Sequence, residues 1–216
     1  MRRFILGILA CSAFVFNVNA ISNSVDLERC YDIDFVSQQN TQYKYQCAGK
    51  YYFGKDIDID YQYAKRYLDM ASNEGHARSS HILAIMYLEA TGVERSFNKF
   101  FEYSLKAVNQ ITSKEDDYLF YTLGVAYLDG VGTEVDIGKA IVNFTKAKDH
   151  EEVAHEARLA LCQIYYNNVK TGMNLDEAIY WCQEALKVGS QDAIILLGRI
   201  AKEQNLKDNP RYKLKH

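Results

Sequence analysis

The chain has 216 residues, of which 48% are hydrophobic and 25% charged, and its formal net charge is −3. This composition is typical of one ordinary globular core or a short repeat array, and it excludes a low-complexity chain. The acidic excess argues against nucleic acid as the main partner, because phosphate recognition needs a basic surface. The single proline, Pro210, lies almost at the end, which favours helices in the interior.

The first 20 residues are predicted to be a secretory signal peptide. Arg2 and Arg3 supply the positive start, an apolar run covers residues 4–16, and Ala20 closes a small-residue cleavage site. The run is too short to span a bilayer comfortably, and Cys11 lies inside it, so a retained anchor and a lipoprotein are the weaker alternatives. Cleavage after Ala20 predicts a periplasmic or secreted protein without stable membrane insertion. Its 23 basic and 28 acidic residues give a net charge of −5.

Removal of the signal peptide leaves four cysteines, an even number that predicts two disulfides in an exported chain. Three pairings are possible, and the geometry of the repeats described below favours Cys30–Cys47 and Cys162–Cys182. The first bond would hold the leading segment, residues 21–41, on the first repeat, and the second would join two helices of the fourth. Each bond would contribute about 3 kcal/mol in the chain-entropy model. A structural zinc site is not expected, because no two of these cysteines lie two to four residues apart.

Two sequence patterns recur with one period. Four tyrosines are spaced 36, 40 and 38 residues apart: Tyr51, Tyr87, Tyr127 and Tyr165. Pairs of mostly small residues, seven apart, repeat at the same spacing: Ala64 with Ala71, Phe100 with Ala107, Ala140 with Ala147, and Ala178 with Ala185. Two independent patterns with one period predict a repeat protein. The spacing of 40 follows from a polar insertion at residues 112–117.

Each repeat is predicted to contain two helices. The first helix ends near the tyrosine, and these helices are predicted at 43–53, 78–89, 118–129, 153–167 and 191–204. Glycines suited to the left-handed residue that ends a helix follow at Gly54, Gly92, Gly130 and Gly172. The second helices are predicted to begin near N-caps at Asp60, Ser96, Asp136 and Asp176. The fold class is therefore all-α, a right-handed α-solenoid of about four helix-turn-helix repeats over residues 42–205. It ends in half a repeat, and a basic tail follows at 206–216.

The third repeat carries the clearest motif, which consists of Leu123-Gly124, Tyr127, Gly130, Gly132, Ala140 and Ala147. This motif resembles the Sel-one-like repeat family, a branch of the helical-hairpin solenoids related to tetratricopeptide repeats. The resemblance covers about residues 42–205, although Ala48, Ala84 and Cys162 stand where Gly124 does. It implies an interaction module, because exported bacterial members look like envelope regulators, assembly factors, host-contact proteins or inhibitors of delivered toxins. It does not identify the partner, since function depends on the surface residues placed on the scaffold.

Three short motifs offer a hydrolase alternative. They are Ser96-Phe97-Asn98-Lys99, Tyr165-Tyr166-Asn167 and Lys170-Thr171-Gly172, and together they resemble serine beta-lactamase motifs. Some cysteine-rich members of the repeat family are also associated with penicillin-type compounds. The context argues against this chemistry, since Lys170 follows Asn167 by three residues in an inter-helix loop and Ser96 already serves as an N-cap. The chain is therefore not expected to be an enzyme.

No metal or other cofactor is predicted. His150 and His155, like His76 and His81, lie five residues apart, so each pair points about 140° apart on a helix. Residues 56–60 open like a calcium loop but lack the glycine and the closing glutamate that such a loop requires. A solvated acidic loop is the preferred interpretation.

First helices line the concave wall of such solenoids, where exposed side chains suit partner binding. Counting back from each core tyrosine gives five inner-wall candidates: Lys44, His81, Tyr121, Arg158 and Gln163. Ordinary, partly buried helix residues are the alternative for each. The sequence thus predicts an exported protein-protein interaction module, a periplasmic inhibitor or immunity protein or a regulatory adaptor. The partner would be an envelope, secreted or toxin protein. An envelope or secretion-system assembly factor and a beta-lactamase-like hydrolase are the alternatives.

Overall fold

A computed structural model describes residues 28–169 and 175–203, and it is all-helical over them. Ten α-helices follow one another: α1 Ile33–Ser37, α2 Thr41–Phe53, α3 Tyr61–Asn73, α4 Ala77–Glu89, α5 Phe97–Asn109, α6 Leu119–Asp129, α7 Ile137–Ala147, α8 Ala154–Val169, α9 Leu175–Lys187 and α10 Gln191–Glu203. A short 3-10 helix, Glu28–Tyr31, precedes α1, and a second, Lys114–Asp116, lies between α5 and α6. The five predicted first helices, now α2, α4, α6, α8 and α10, are confirmed to within two residues at each end.

Helices that follow one another pack in pairs, α2 against α3, α4 against α5 and α8 against α9. The seven-residue pairs lie on the second helix of each repeat, and both members of each pair are buried: Ala64, Ala71, Phe100, Ala107, Ala140, Ala147, Ala178 and Ala185. Small side chains there allow neighbouring helices to approach closely, which explains why the seven-residue pairs share the period of the tyrosines.

Three of the predicted N-caps are confirmed. The carboxylate of Asp60 accepts hydrogen bonds from the backbone N–H of Gln62 at 2.9 Å and of Tyr63 at 3.1 Å. Ser96 and Asp136 cap α5 and α7 in the same way. The fourth prediction needs a correction, because α9 begins at Leu175 and Asp176 lies inside its first turn. An acidic side chain in the first turn still interacts favourably with the helix dipole.

The helix ends differ from the prediction at one repeat. Gly54 and Gly130 are left-handed C-caps, with φ of 68° at both positions. Helix α4 instead ends at Ala90, which takes φ of 63° although it carries a Cβ. Gly92 does not cap the helix. It allows a close approach of Tyr61, because a Cβ at Gly92 would lie 2.2 Å from the Cβ of Tyr61. Gly172 lies outside the described residues.

The described residues divide into two compact units, with the boundary between Val135 and Asp136. In the first unit, a disulfide joins Cys30 to Cys47 with a Cα–Cα distance of 5.4 Å. The Tyr67 hydroxyl donates a hydrogen bond to the backbone oxygen of Cys30, and Val36 is fully buried in the same core. Residues 28–39, called the N-terminal cap below, therefore cover the first repeat.

A polar network fixes α3, α4 and the end of α5 within the first unit. The hydroxyls of Ser72 and Ser80 lie 2.7 Å apart, and Ser80 donates to the side-chain oxygen of Gln110 at 2.5 Å. The Gln110 amide in turn donates to the Ser72 backbone oxygen at 2.7 Å. Because Ser72 and Ser80 are buried, this network satisfies polar groups that would otherwise be costly.

The polar insertion at 112–117 contains the 3-10 helix Lys114–Asp116. Its 3-10 helix brings Asp116 to the guanidinium of Arg78, with Nε 2.6 Å from Oδ1. Burial acts to lower the pKa of Arg78, but the hydrogen bond to Asp116 and the charge of its carboxylate raise it. The insertion therefore packs against the start of α4.

In the second unit, a disulfide joins Cys162 of α8 to Cys182 of α9 with a Cα–Cα distance of 4.6 Å. The two bonds are the pairs that the sequence favours among its three possibilities. None of the helices over residues 28–169 and 175–203 has the length and hydrophobicity that crossing a membrane requires.

Candidate partner-binding surface

The inner-wall candidates of the first unit are buried. Lys44, His81 and Tyr121 are 2%, 1% and 2% exposed. The reason is that the first helices are buried on every side through their middle turns, as in α4, where every residue from Ser79 to Leu88 is buried. A helix with no polar face is a core helix rather than a surface helix. These three side chains therefore offer a partner little surface.

Lys44 and His81 have internal roles. The Lys44 ammonium forms an ion pair with Glu74 at the end of α3. The His81 ring packs edge-on against Tyr118, and its Nδ1 has no hydrogen-bond partner among the described residues. Burial lowers the pKa of His81 to about 4, so its side chain is neutral at pH 7.

The two candidates in the second unit differ from one another. Arg158 connects α8 to the end of α7. Its guanidinium donates hydrogen bonds to the Lys148 backbone oxygen at 3.0 Å and to the Asp149 carboxylate at 3.0 Å. It also forms an ion pair with Glu184 at 3.6 Å. Gln163 is partly exposed on α8. As partner contacts, the five candidate residues remain a prediction.

The serine-lysine motif of the hydrolase alternative takes a structural arrangement. Ser96 caps α5 by accepting a hydrogen bond from the backbone N–H of Lys99 at 3.3 Å. The Lys99 ammonium lies over the Tyr87 ring, 4.8 Å from its centroid, and 3.3 Å from its hydroxyl oxygen. The Lys170-Thr171-Gly172 motif lies outside the described residues, and the Tyr165-Tyr166-Asn167 motif is part of α8.

The loops between paired helices form the most distinctive surface of the first unit. The term "loop edge" is used below for these three loops, residues 54–60, 90–96 and 130–135. It also includes four residues at the helix ends that flank them: Phe53, Glu89, Phe97 and Asp129. The loops are stacked on neighbouring repeats. Gln62 at the start of α3 donates to the Gly92 backbone oxygen at 2.8 Å. A Cβ at Gly132 would lie 1.9 Å from the Phe97 backbone oxygen.

Large apolar side chains are exposed along the loop edge. Phe53 is 40% exposed, Ile59 55%, Phe97 47% and Val135 59%. Ile59 and Val135 take equivalent places, because each lies against the glycine that ends its helix, Gly54 or Gly130. Sequence reasoning missed this surface. Its signal is an apolar residue directly before the N-cap Asp in the first and third repeats, Ile59 before Asp60 and Val135 before Asp136.

A model of the Sel1 repeat matches four segments of the chain, residues 44–76, 77–110, 121–151 and 155–190. The chain belongs to the Sel1 repeat family. Solved structures support the same fold. One is a Sel1 repeat protein from Oxalobacter formigenes, with 16% identity and a TM-score of 0.62 over 86% of this chain and 72% of that one. A comparison with curated protein sequences finds no match.

A second structural relative is c5321, a protective antigen present in uropathogenic Escherichia coli strains that displays an SLR fold. It shares 18% identity and a TM-score of 0.72 over 96% of this chain. The match covers 44% of that chain, so this protein corresponds to less than half of its relative. At these identities, both structures establish the helical solenoid fold alone. Sel1 repeats indicate a protein-protein interaction module, and a protein is accordingly the expected class of partner.

Proposed function

We propose that the chain is an exported protein-binding module that acts in the periplasm, as an inhibitor or immunity protein or as a regulatory adaptor. The observation that carries this proposal is a Sel1 repeat scaffold that holds one disulfide in each of its two units. Disulfides persist in oxidising compartments such as the bacterial periplasm, and solenoids bind partners along extended surfaces.

The proposed organisation places a signal peptide at residues 1–20, the N-terminal segment at 21–41, the repeats at 42–205 and a basic tail at 206–216. Export is tested by expressing the full chain with a C-terminal tag in a bacterial host. The expected result is recovery in the periplasmic or secreted fraction with Ile21 as the first residue. Recovery in the cytoplasm with an intact amino terminus would overturn the export proposal.

Binding is tested with the mature chain, residues 21–216, immobilised with its disulfides intact and exposed to envelope and secreted extracts at high salt. Mass spectrometry identifies retained proteins, and each is then purified and mixed with the chain for size-exclusion chromatography. One partner that forms a stoichiometric complex supports the proposal, and loss of its activity in that complex identifies an inhibitor. A partner that is an envelope or secretion-system component with unchanged activity would indicate an assembly factor instead.

A further inference from the structure

The loop edge of the first unit is strongly acidic. Seven of its side chains are carboxylates and two are cations, which gives a formal charge of −5 on this edge. The carboxylates are Asp56, Asp58, Asp60, Glu89, Glu94, Asp129 and Glu134, and the cations are Lys55 and Arg95. Charge of one sign concentrated on one edge attracts a partner of the opposite sign and steers its approach.

Acidic and apolar side chains alternate on this edge. Ile59 lies between Asp58 and Asp60 in the chain, and Val135 follows Glu134. Both apolar side chains are more than half exposed, and Phe53 and Phe97 at the flanking helix ends are 40% and 47% exposed. Exposed apolar side chains that are grouped on one edge and surrounded by polar residues are typical of interaction sites.

The surface is continuous from one repeat to the next. Tyr52 of α2 contacts Tyr61 at the start of α3, with ring centroids 5.3 Å apart. Tyr61 in turn lies against Gly92 of the second loop, where an added Cβ would stand 2.2 Å from the Tyr61 Cβ. The close approaches at Gly92 and Gly132 hold the second and third loops on the repeats before them.

One carboxylate on the edge is incompletely satisfied. The Oδ2 atom of Asp129 is buried and has no hydrogen-bond partner within the described residues. Burial raises the pKa of Asp129 accordingly. Because this oxygen is buried, a partner side chain cannot reach it, and the edge attracts a cation through its exposed carboxylates, Asp56, Asp58, Glu94 and Glu134.

Given the proposed binding function, on which this inference rests, we propose that the loop edge binds a cationic segment of a partner protein in which Lys or Arg side chains alternate with apolar ones. The cations pair with the carboxylates, and the apolar side chains cover Ile59, Val135 and the neighbouring rings. The acidic charge disfavours nucleic acid and anionic membranes, and it repels the same edge of a second copy.

The test uses the mature chain and four fluorescent peptides, with affinity measured by fluorescence anisotropy at several salt concentrations. The first is a 12-residue peptide of alternating Lys and Leu. The second and third replace Lys by Glu or Leu by Ser, and the fourth is residues 206–216 of this chain. We expect the Lys–Leu peptide to bind most tightly, with an affinity that falls as salt rises.

Two pairs of variants locate the binding site. Glu94→Lys with Glu134→Lys changes the charge of the edge, and Glu151→Lys with Glu152→Lys makes the same change at exposed positions of the second unit. Ile59→Ser with Val135→Ser removes apolar surface from the edge. Val142→Ser with Ile195→Ser does so elsewhere, since Val142 and Ile195 are 53% and 54% exposed. All eight positions are at the surface, and circular dichroism verifies that each variant folds.

Each edge variant is expected to weaken binding of the Lys–Leu peptide by at least about tenfold, while its control changes it by less than about twofold. Equal losses in edge and control variants, or no preference for the Lys–Leu peptide, would overturn the proposal. Tighter binding of the 206–216 peptide would overturn it in favour of the chain's own basic tail as the occupant. A captured partner that binds the edge variants as tightly as the native chain leaves the proposed function standing and removes this site.

Discussion

The two units of the molecule use the same covalent bond for different purposes. In the first unit, Cys30 lies outside the repeats, and its disulfide holds the N-terminal cap on α2. In the second, Cys162 and Cys182 join two helices of one repeat that already pack along their length. The closed loops span 17 and 20 residues, so the chain-entropy model gives both bonds a similar stabilisation. The difference therefore concerns which part of the structure opens when a bond is lost.

The largest effect is expected from removal of the second bond. Cys162→Ser with Cys182→Ser should lower the free energy of unfolding of the second unit by about 3 kcal/mol. Trp181, the only tryptophan of the chain, lies in that unit and reports its denaturant transition by fluorescence. Cys30→Ser with Cys47→Ser serves as the control and should leave the Trp181 transition in place. Equal shifts of that transition in both variants would contradict the assignment of separate roles.

The second largest effect is expected from acid, which should lower the free energy of unfolding of the first unit. The pKa of His81 in the folded chain, about 4, lies below the value of about 6.5 expected when unfolded. The unfolded chain thus binds the proton first, and the stabilisation present above pH 6.5 is lost as pH falls towards 4. His76 shifts in the same direction through burial and then through the charge of Arg78.

For His81 alone, the expected loss is roughly 2 kcal/mol between pH 7 and pH 5. Urea denaturation followed by circular dichroism should show this loss in the native chain and a flatter profile in His81→Phe. His155→Gln is the control, since His155 is on the surface of the second unit. An unchanged pH profile in His81→Phe would show that this ring does not carry the effect.

A smaller effect is expected at the N-terminal cap. Tyr67→Phe removes the hydrogen bond to the Cys30 backbone oxygen and should cost about 1 kcal/mol, since that oxygen then loses a buried donor. Hydrogen exchange should increase across residues 28–39 and stay unchanged in α8. Tyr31→Phe is the control, because the Tyr31 side chain belongs to the same cap and is 70% exposed. Faster exchange throughout the chain would instead indicate that the cap and the repeats open together.

The smallest effect concerns the end of α4. Ala90→Gly should stabilise the first unit by about 0.5 kcal/mol, because the left-handed conformation costs alanine more than the extra chain entropy costs glycine. Gly130→Ala is the reciprocal change and should destabilise. Thermal unfolding followed by circular dichroism measures both. A destabilised Ala90→Gly would mean that the Ala90 methyl group makes packing contacts worth more than the backbone strain.

Local chemistry could be predicted from the sequence, whereas features set by neighbours could not. Asp60, Ser96 and Asp136 were identifiable as caps because an N-cap depends only on residues within one turn. The burial of His81 depends on helices from adjacent repeats that surround α4, and no spacing within α4 shows them. The left-handed Ala90 went unrecognised for another reason, since alanine carries no local signal for that conformation.

The candidate surface shows the same division. The sequence shows the acidic loop at residues 56–60, and by itself it predicts only a solvated loop. Its contiguity with the loops of the next two repeats depends on the close approaches at Gly92 and Gly132, which are tertiary contacts. Only the periodic placement of Ile59 and Val135 before the N-cap Asp residues was available as a sequence signal.

The network of Ser72, Ser80 and Gln110 restricts how the gene can grow by copying its own repeats. Ser80 lies seven residues before its repeat tyrosine, and the corresponding residues of the next two repeats are Phe120 and Arg158. A duplicated second repeat inserted after the third would carry its serine to a junction where Arg158 now bonds the Lys148 backbone. A copied repeat would therefore need matching polar partners at its new position, as Ser80 has in Ser72 and Gln110.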